Sequence, residues 1–170
     1  MRAPILPLLA LLALGLGCSP AALPALAAGP ELRLDKLPLR LRVPAGLERV
    51  DSATWILRNA RGEMRLAFKV SAQASPPDGV ELHLKKVLRD TDKRGEVVVT
   101  ATQEIPLDDL TGHFVEARSL RSDPAIGLIL VVTEAEDGLY TVVAAGALEV
   151  IDASREVLRG AVKSLRVDPR

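Results

Sequence analysis

The chain has 170 residues, 22 basic and 22 acidic side chains, a formal net charge of +0, 48% hydrophobic residues and one cysteine. Balanced charge excludes a general attraction to nucleic acid or acidic lipid, and a single cysteine excludes an internal disulfide, a cysteine-type zinc site and an iron–sulfur cluster. A domain of ~150 residues buries about 68–70 % of the surface its unfolded chain exposes, so one core suffices without such staples.

Arg2 supplies a short basic end, and Ile5 to Gly17 is an almost unbroken run of leucine, alanine and glycine. An apolar run of about 7–15 residues suits the secretion machinery, whereas a permanent span wants ~20. The protein is therefore expected outside the cytoplasm, in the periplasm of a Gram-negative cell. Two cuts compete. Gly17-Cys18 looks like the lipobox of bacterial lipoproteins, in which a small residue precedes a cysteine that is acylated and becomes the new N-terminus; Gly15 stands where such boxes usually carry leucine. Ala25-Leu26-Ala27 is a small-x-small site for ordinary signal peptidase, which would discard Cys18 with the leader. A cysteine directly behind the apolar core favours lipidation at Cys18 and a membrane contact through the lipid anchor only, with a soluble secreted form as the alternative. The expected organisation is an export signal over 1–27, or over 1–17 if Cys18 is lipidated, a Pro/Ala-rich tether or signal remainder over 18–30, and one domain over 31–168.

From Pro38 to Val43 apolar and charged residues alternate, which predicts a strand with Leu39, Leu41 and Val43 on one face, ended by Pro44-Ala45-Gly46. Ala53 to Asn59 and Met64 to Ser71 read as a hairpin around Arg61-Gly62, with Met64, Leu66, Phe68 and Val70 inward and Arg65 and Lys69 outward. In its first strand either Trp55 with Leu57, or Ile56, must point away from the core. Ser75-Pro76-Pro77-Asp78 is a helix start, and Val80, Leu84, Val87, Leu88 and Thr91 share one arc of the helix that follows, up to Gly95. Glu96 to Glu104, His113 to Ser119, Gly127 to Glu134 and Leu139 to Gly146 read as four further strands, separated by turns at Pro106 to Gly112, Asp123-Pro124 and Glu136 to Gly138. A last helix begins near Asp152 and buries Val157, Leu158, Ala161, Val162 and Leu165, with Gly160 inside it at a cost of roughly 1 kcal/mol relative to alanine.

Val97 to Val99, Leu128 to Val132 and Val142 to Ala145 are apolar on both faces, which asks for a cover on each side. The expected fold class is α/β: a three-layer α/β/α sandwich, with a mostly antiparallel sheet of about seven strands and one helix on each face. The run Leu39 to Gly46, the hairpin, Pro106-Leu-Asp-Asp-Leu-Thr-Gly112 before a strand, Leu139-Tyr140 opening another and the helix ending Lys163-Ser164-Leu165 resemble the PsbP-like superfamily. That superfamily includes the photosystem extrinsic PsbP proteins, Ran-binding Mog proteins and bacterial DcrB-type lipoproteins. The resemblance implies its fold and a noncatalytic binding module, and it transfers no site residue.

Asp108, Asp109 and His113 lie close in sequence on a turn and the strand after it and could together accept a cation, yet Asp-Asp before glycine is ordinary turn chemistry and no calcium-loop spacing surrounds it. His83 falls outside the apolar arc of its helix and reads as a solvated surface histidine. Ser71, Ser75, Ser119 and Ser122 lack a Gly-x-Ser-x-Gly elbow, Glu134, Glu136 and Asp137 read as a turn, and Trp55, Phe68, Phe114 and Tyr140 read as core. No catalytic residue, metal ligand or cofactor is therefore assigned. Lys85, Arg89 and Lys93 recur every four residues as a basic stripe, with Lys86 beside it, and Glu81 and Asp92 partly offset it. Like charges at that spacing repel by ~0.2–0.5 kcal/mol per pair. The expected function is a noncatalytic binding or accessory module of the cell envelope that meets an envelope protein or an anionic envelope component, and not nucleic acid, through this stripe. A small extracytoplasmic hydrolase or metal-dependent enzyme is the alternative.

Overall fold

A computed structural model describes residues 26–74, 79–91, 97–119, 121 and 123–168. The first strands are β1 (Glu31–Arg33), β2 (Leu39–Arg42), β3 (Glu48–Arg49), β4 (Thr54–Arg58) and β5 (Met64–Gln73), and β2 shows the plainest alternation of buried and exposed residues. After α1 (Gly79–Thr91) come four ten-residue strands, β6 (Val98–Leu107), β7 (Leu110–Ser119), β8 (Ile126–Ala135) and β9 (Gly138–Ala147). The chain then forms α2 (Leu148–Ala153), α3 (Arg155–Lys163) and β10 (Arg166–Val167).

Short turns make β4–β5, β6–β7 and β8–β9 antiparallel neighbours, and β5 pairs with β9 to join the first hairpin to the rest. The outcome is a seven-stranded antiparallel sheet in the order β3-β4-β5-β9-β8-β7-β6. Both faces of its central strands are covered. On one face Val115, Ala117, Leu128, Leu130 and Val132 pack with Val80, Leu84, Val87 and Leu88 of α1. On the other, Phe68, Ile129, Val131, Val142 and Ala144 share a core with α2, α3 and β2. α2 lies so close to β8 that a Cβ on Gly127 would stand 2.9 Å from the side chain of Ile151.

The layering expected from the sequence is simpler than what forms. The fold is mixed α/β, but the second face carries two short helices and a separate sheet in the order β1-β2-β10. β2 thus leaves the main sheet, whose outer position β3 takes instead, because alternation reports which side of a strand is buried and not which strand lies next to it. Leu39 and Leu41 are fully buried, and β2 is tied to the chain's end: Arg40 Nε donates to Asp168 at 2.6 Å. Ser164 Oγ accepts the Arg42 N–H at 2.7 Å and donates to the Ala161 carbonyl at 2.6 Å. The single last helix divides at buried Ser154, and helix already begins at Leu148 rather than near Asp152.

Further expectations need correcting. Val98 and Val99 are 55% and 46% exposed, because β6 is the last strand of the sheet and not a central one. Pro106 continues this strand instead of ending it, and at an edge its missing N–H leaves no ladder bond unmade. Met64 is 61% exposed, since the register shifts beyond Leu57 and sets it opposite Arg58 beside the turn of the hairpin. Leu66, Phe68 and Val70 are buried beside Trp55 and Leu57, and Ile56 on the opposite face is buried too, at 5% exposure, so neither side of this stretch of β4 points outward as expected. The helix start Ser75 to Asp78 and its end at Gly95 lie outside the described residues.

Candidate functional site

α1 turns its apolar stripe to the sheet, and Glu81, Leu82, Lys85, Lys86 and Arg89 are exposed on its other side. Lys85 Nζ donates to Glu81 Oε1 at 2.7 Å, one turn back, and this bond holds the Glu81 carboxyl below the usual carboxylate range. Arg89 Nε lies 3.6 Å from Asp90. Two members of the basic stripe therefore share one exposed helix face, each beside an acid, while Lys93 lies outside the described residues. The sequence reading passed over Leu82, which is 49% exposed among these cations. Its signal was visible as a leucine on the charged side of the helical wheel.

His83 is the main correction on this helix, for it is buried and not solvated. Its Nδ1 lies 2.7 Å from Gln73 Nε2 and its Nε2 lies 2.9 Å from Thr141 Oγ1. With the Gln73 amide N–H donating to Nδ1, Nε2 carries the proton and donates to the Thr141 hydroxyl. Burial and then the nearby Lys86 charge push its pKa down, which favours this neutral ring. The wheel missed it because polar partners on β5 and β9 make a buried place that hydrophobicity does not mark.

Asp108, Asp109 and His113 do not converge. Asp108 sits at φ 55° in the β6–β7 turn and forms an ion pair with Arg166, Nε to Oδ1 2.9 Å, while His113 faces Glu104 across the strand pair at 4.0 Å. Among the described residues, no three His, Cys, Asp or Glu side chains are grouped to hold a metal ion. Of the serines, Ser71 is exposed and Ser119 buried, with Ser75 and Ser122 outside the described residues. Asp137 accepts the Tyr140 hydroxyl at 2.7 Å in the β8–β9 turn. Trp55, Phe68, Phe114 and Tyr140 are all buried, with Trp55 edge-on to Phe68 at a centroid distance of 6.1 Å.

A buried carboxylate emerges that the sequence did not disclose. Glu116 on β7 is 6% exposed and is gripped by two donors of Arg159 on α3: Nε to Oε1, and Nη2 to Oε2 at 3.0 Å. Arg159 Nη1 also donates to Glu156 at 2.7 Å. The guanidinium holds the Glu116 carboxyl low, and the carboxylates in turn raise the Arg159 pKa. Beside this network α3 and β6 border a groove of about 550 Å³, with Lys163 Nζ standing 4.6 Å over the Phe114 ring. A second groove of about 270 Å³ runs past Gly29, Arg42 and Pro44, and the two share Glu156 and Gly160. A Cβ at Gly160 would meet nothing within 4 Å, so packing does not account for this glycine.

No protein-family model and no curated protein matches the chain. Solved structures do. Cyanobacterial PsbP (CyanoP) from Synechocystis sp. PCC 6803 superposes with a TM-score of 0.60 at 16% identity, covering 88% of this chain and 96% of that one. PA94, a protein of unknown function from Pseudomonas aeruginosa, gives a TM-score of 0.53 at 13% identity, covering 86% of this chain and 100% of its own. At such identities the likeness is one of fold, and the quoted motifs act accordingly: Ser164 of Lys163-Ser164-Leu165 ties α3 to β2 rather than facing a ligand. The chain has a PsbP-like fold.

Proposed function

We propose that this chain is a noncatalytic accessory module, exported and held at the membrane by a lipid on Cys18, that meets an anionic component of the cell envelope through α1. The observation that carries the reading is Leu82, 49% exposed, with Lys85, Lys86 and Arg89 three, four and seven residues on and so on the same helix face. An exposed leucine among cations suits a partner that offers an apolar contact inside an acidic surround, and the charges would steer its approach. On this reading α1 is one outer layer of a three-layer α/β/α sandwich. The noncatalytic part is supported by how the buried ionisable groups are used: Glu116 is held by Arg159, and His83 bridges Gln73 and Thr141. Among the described residues no helix is long and apolar enough to cross a membrane.

Crosslinking in the native envelope followed by mass spectrometry tests the reading, with wild type set against a Lys85→Glu, Arg89→Glu, Lys93→Glu variant. The variant should lose its main crosslinked partner while keeping its melting temperature. An unchanged set of partners would dismiss α1 as the contact surface. Turnover of a substrate, or a stoichiometric bound metal lost in His113→Ala, would overturn the noncatalytic reading.

A further inference from the structure

The expected tether is shorter than its sequence suggests. Leu26 is 7% exposed and belongs to the core shared with β2, with its Cδ2 atom 3.4 Å from where a Cβ on Gly46 would stand. Ala27 and Ala45 exchange backbone bonds, Ala45 N–H to the Ala27 carbonyl at 2.9 Å and the reverse at 3.4 Å. A Cβ on Gly29 would lie 1.8 Å from the Val43 carbonyl oxygen, so no larger residue fits this approach. Val43 N–H then donates to the Pro30 carbonyl at 3.3 Å, and the pairing continues into β1 and β2 from Glu31 opposite Arg42. From Leu26 onward the chain is one strap laid antiparallel along 40–45.

A discarded leader has no need to fit the domain it leaves, whereas this strap fits by burial, by backbone pairing and by a glycine that nothing can replace. We infer that Leu26 to Pro30 belong to the mature domain, so that export processing cuts upstream of Leu26 and leaves Ala25-Leu26-Ala27 unused as a cleavage site. The inference rests on the export reading above and sharpens it. Cleavage after Ala27 would remove Leu26 from the core, abolish the Ala27–Ala45 pair and place a new ammonium group next to the Gly29–Val43 contact. Cleavage before Cys18 keeps the strap whole and leaves Ser19 to Ala25 as the tether.

The full chain expressed in its native envelope provides the test. The variant is Leu26→Ser, which alters only the middle position of Ala25-x-Ala27 and leaves that motif competent for signal peptidase. If Leu26 is retained, the mature variant should melt roughly 5–15 °C below wild type, as for a core leucine truncation, or fail to accumulate. If the chain is cut after Ala27, the two mature proteins are identical and melt together, which would overturn the inference. Intact mass gives the independent readout. A mature N-terminus at Cys18, or at any residue between it and Leu26, supports the inference, and one at Ala28 overturns it while leaving export intact. An uncut chain beginning at Met1 overturns the export reading itself, and the processing claim with it.

Discussion

Arg159→Met removes one half of a nearly buried ion pair and leaves the other half in place. Breaking such a pair from one side costs about 3–5 kcal/mol, because the remaining charge keeps its desolvation penalty. Here the Arg159 side chain is 32% exposed and that of Glu116 only 7%, so water screens part of the interaction and about 2–3 kcal/mol is expected. For a domain of this size that corresponds to a melting temperature lower by about 4–12 °C. The sign with pH follows from Glu116, whose folded pKa is depressed first by the Arg159 hydrogen bond. Its stabilisation is complete above the unfolded value of about 4.3 and is lost as pH falls through the folded value. Without Arg159, burial pushes the carboxyl up against what Arg155 and Arg118 still contribute, so the stability gap should be widest near pH 7 and narrow toward pH 4. Urea titrations of both proteins at the two pH values measure it. A Glu116→Leu, Arg159→Met double variant should recover most of the loss, since two apolar side chains leave no buried charge unpaired. A gap of the same size at pH 7 and pH 4 would refute the argument and place the loss in packing of the arginine stem.

What the sequence disclosed followed from local rules. Hairpins and strands were legible where period-2 alternation met a turn residue, as at Arg61-Gly62, whose glycine adopts φ 79°. The two-faced strand Leu128 to Val132 correctly demanded a cover on both sides, because a strand buried twice has no polar face to spare. Neighbour relations were not legible. Nothing in Leu39 to Val43 says that β10, over a hundred residues later, will be its partner, and nothing in Val97 to Val99 distinguishes an edge from a centre. Polar burial was hidden for a related reason: Glu116 and His83 look like surface residues until Arg159, Gln73 and Thr141 are brought to them by the fold. The α1 stripe was visible as charge spacing, and its apolar member Leu82 was overlooked because a single exposed leucine is common on any surface. Gly160 was the opposite case. Its cost inside a helix was apparent from the sequence, and only the structure places it between two grooves.

Three further outcomes are expected. Leu158, fully buried on the inner face of α3, should not tolerate aspartate, whereas Leu84→Asp on half-buried α1 should fold with a lowered melting temperature; circular dichroism melts that rank them the other way would contradict the assignment of the main core to the α2–α3 face. Gly160→Ala should raise stability by about 0.5–1 kcal/mol, because the added methyl group meets nothing, and a fall in the urea midpoint would mean that the helix there is not free to accept it. Stability should also fall in mild acid through His83. Its folded pKa is depressed by burial and then by Lys86, while the unfolded ring titrates near 6.5, so the native state binds fewer protons than the unfolded state in this range. The stabilisation is therefore present above about pH 6.5 and is lost as pH falls toward the folded value. Protonation would also set an Nδ1–H against the donor end of the Gln73 amide, so that either the amide turns over or the contact opens, and α1 loosens from β5 and β9. His83→Gln keeps hydrogen-bonding capacity without titrating. Melts from pH 7.5 to 5.5 should show wild type losing more stability than the variant, and parallel curves would mean that His83 does not hold α1 against the sheet through a neutral ring.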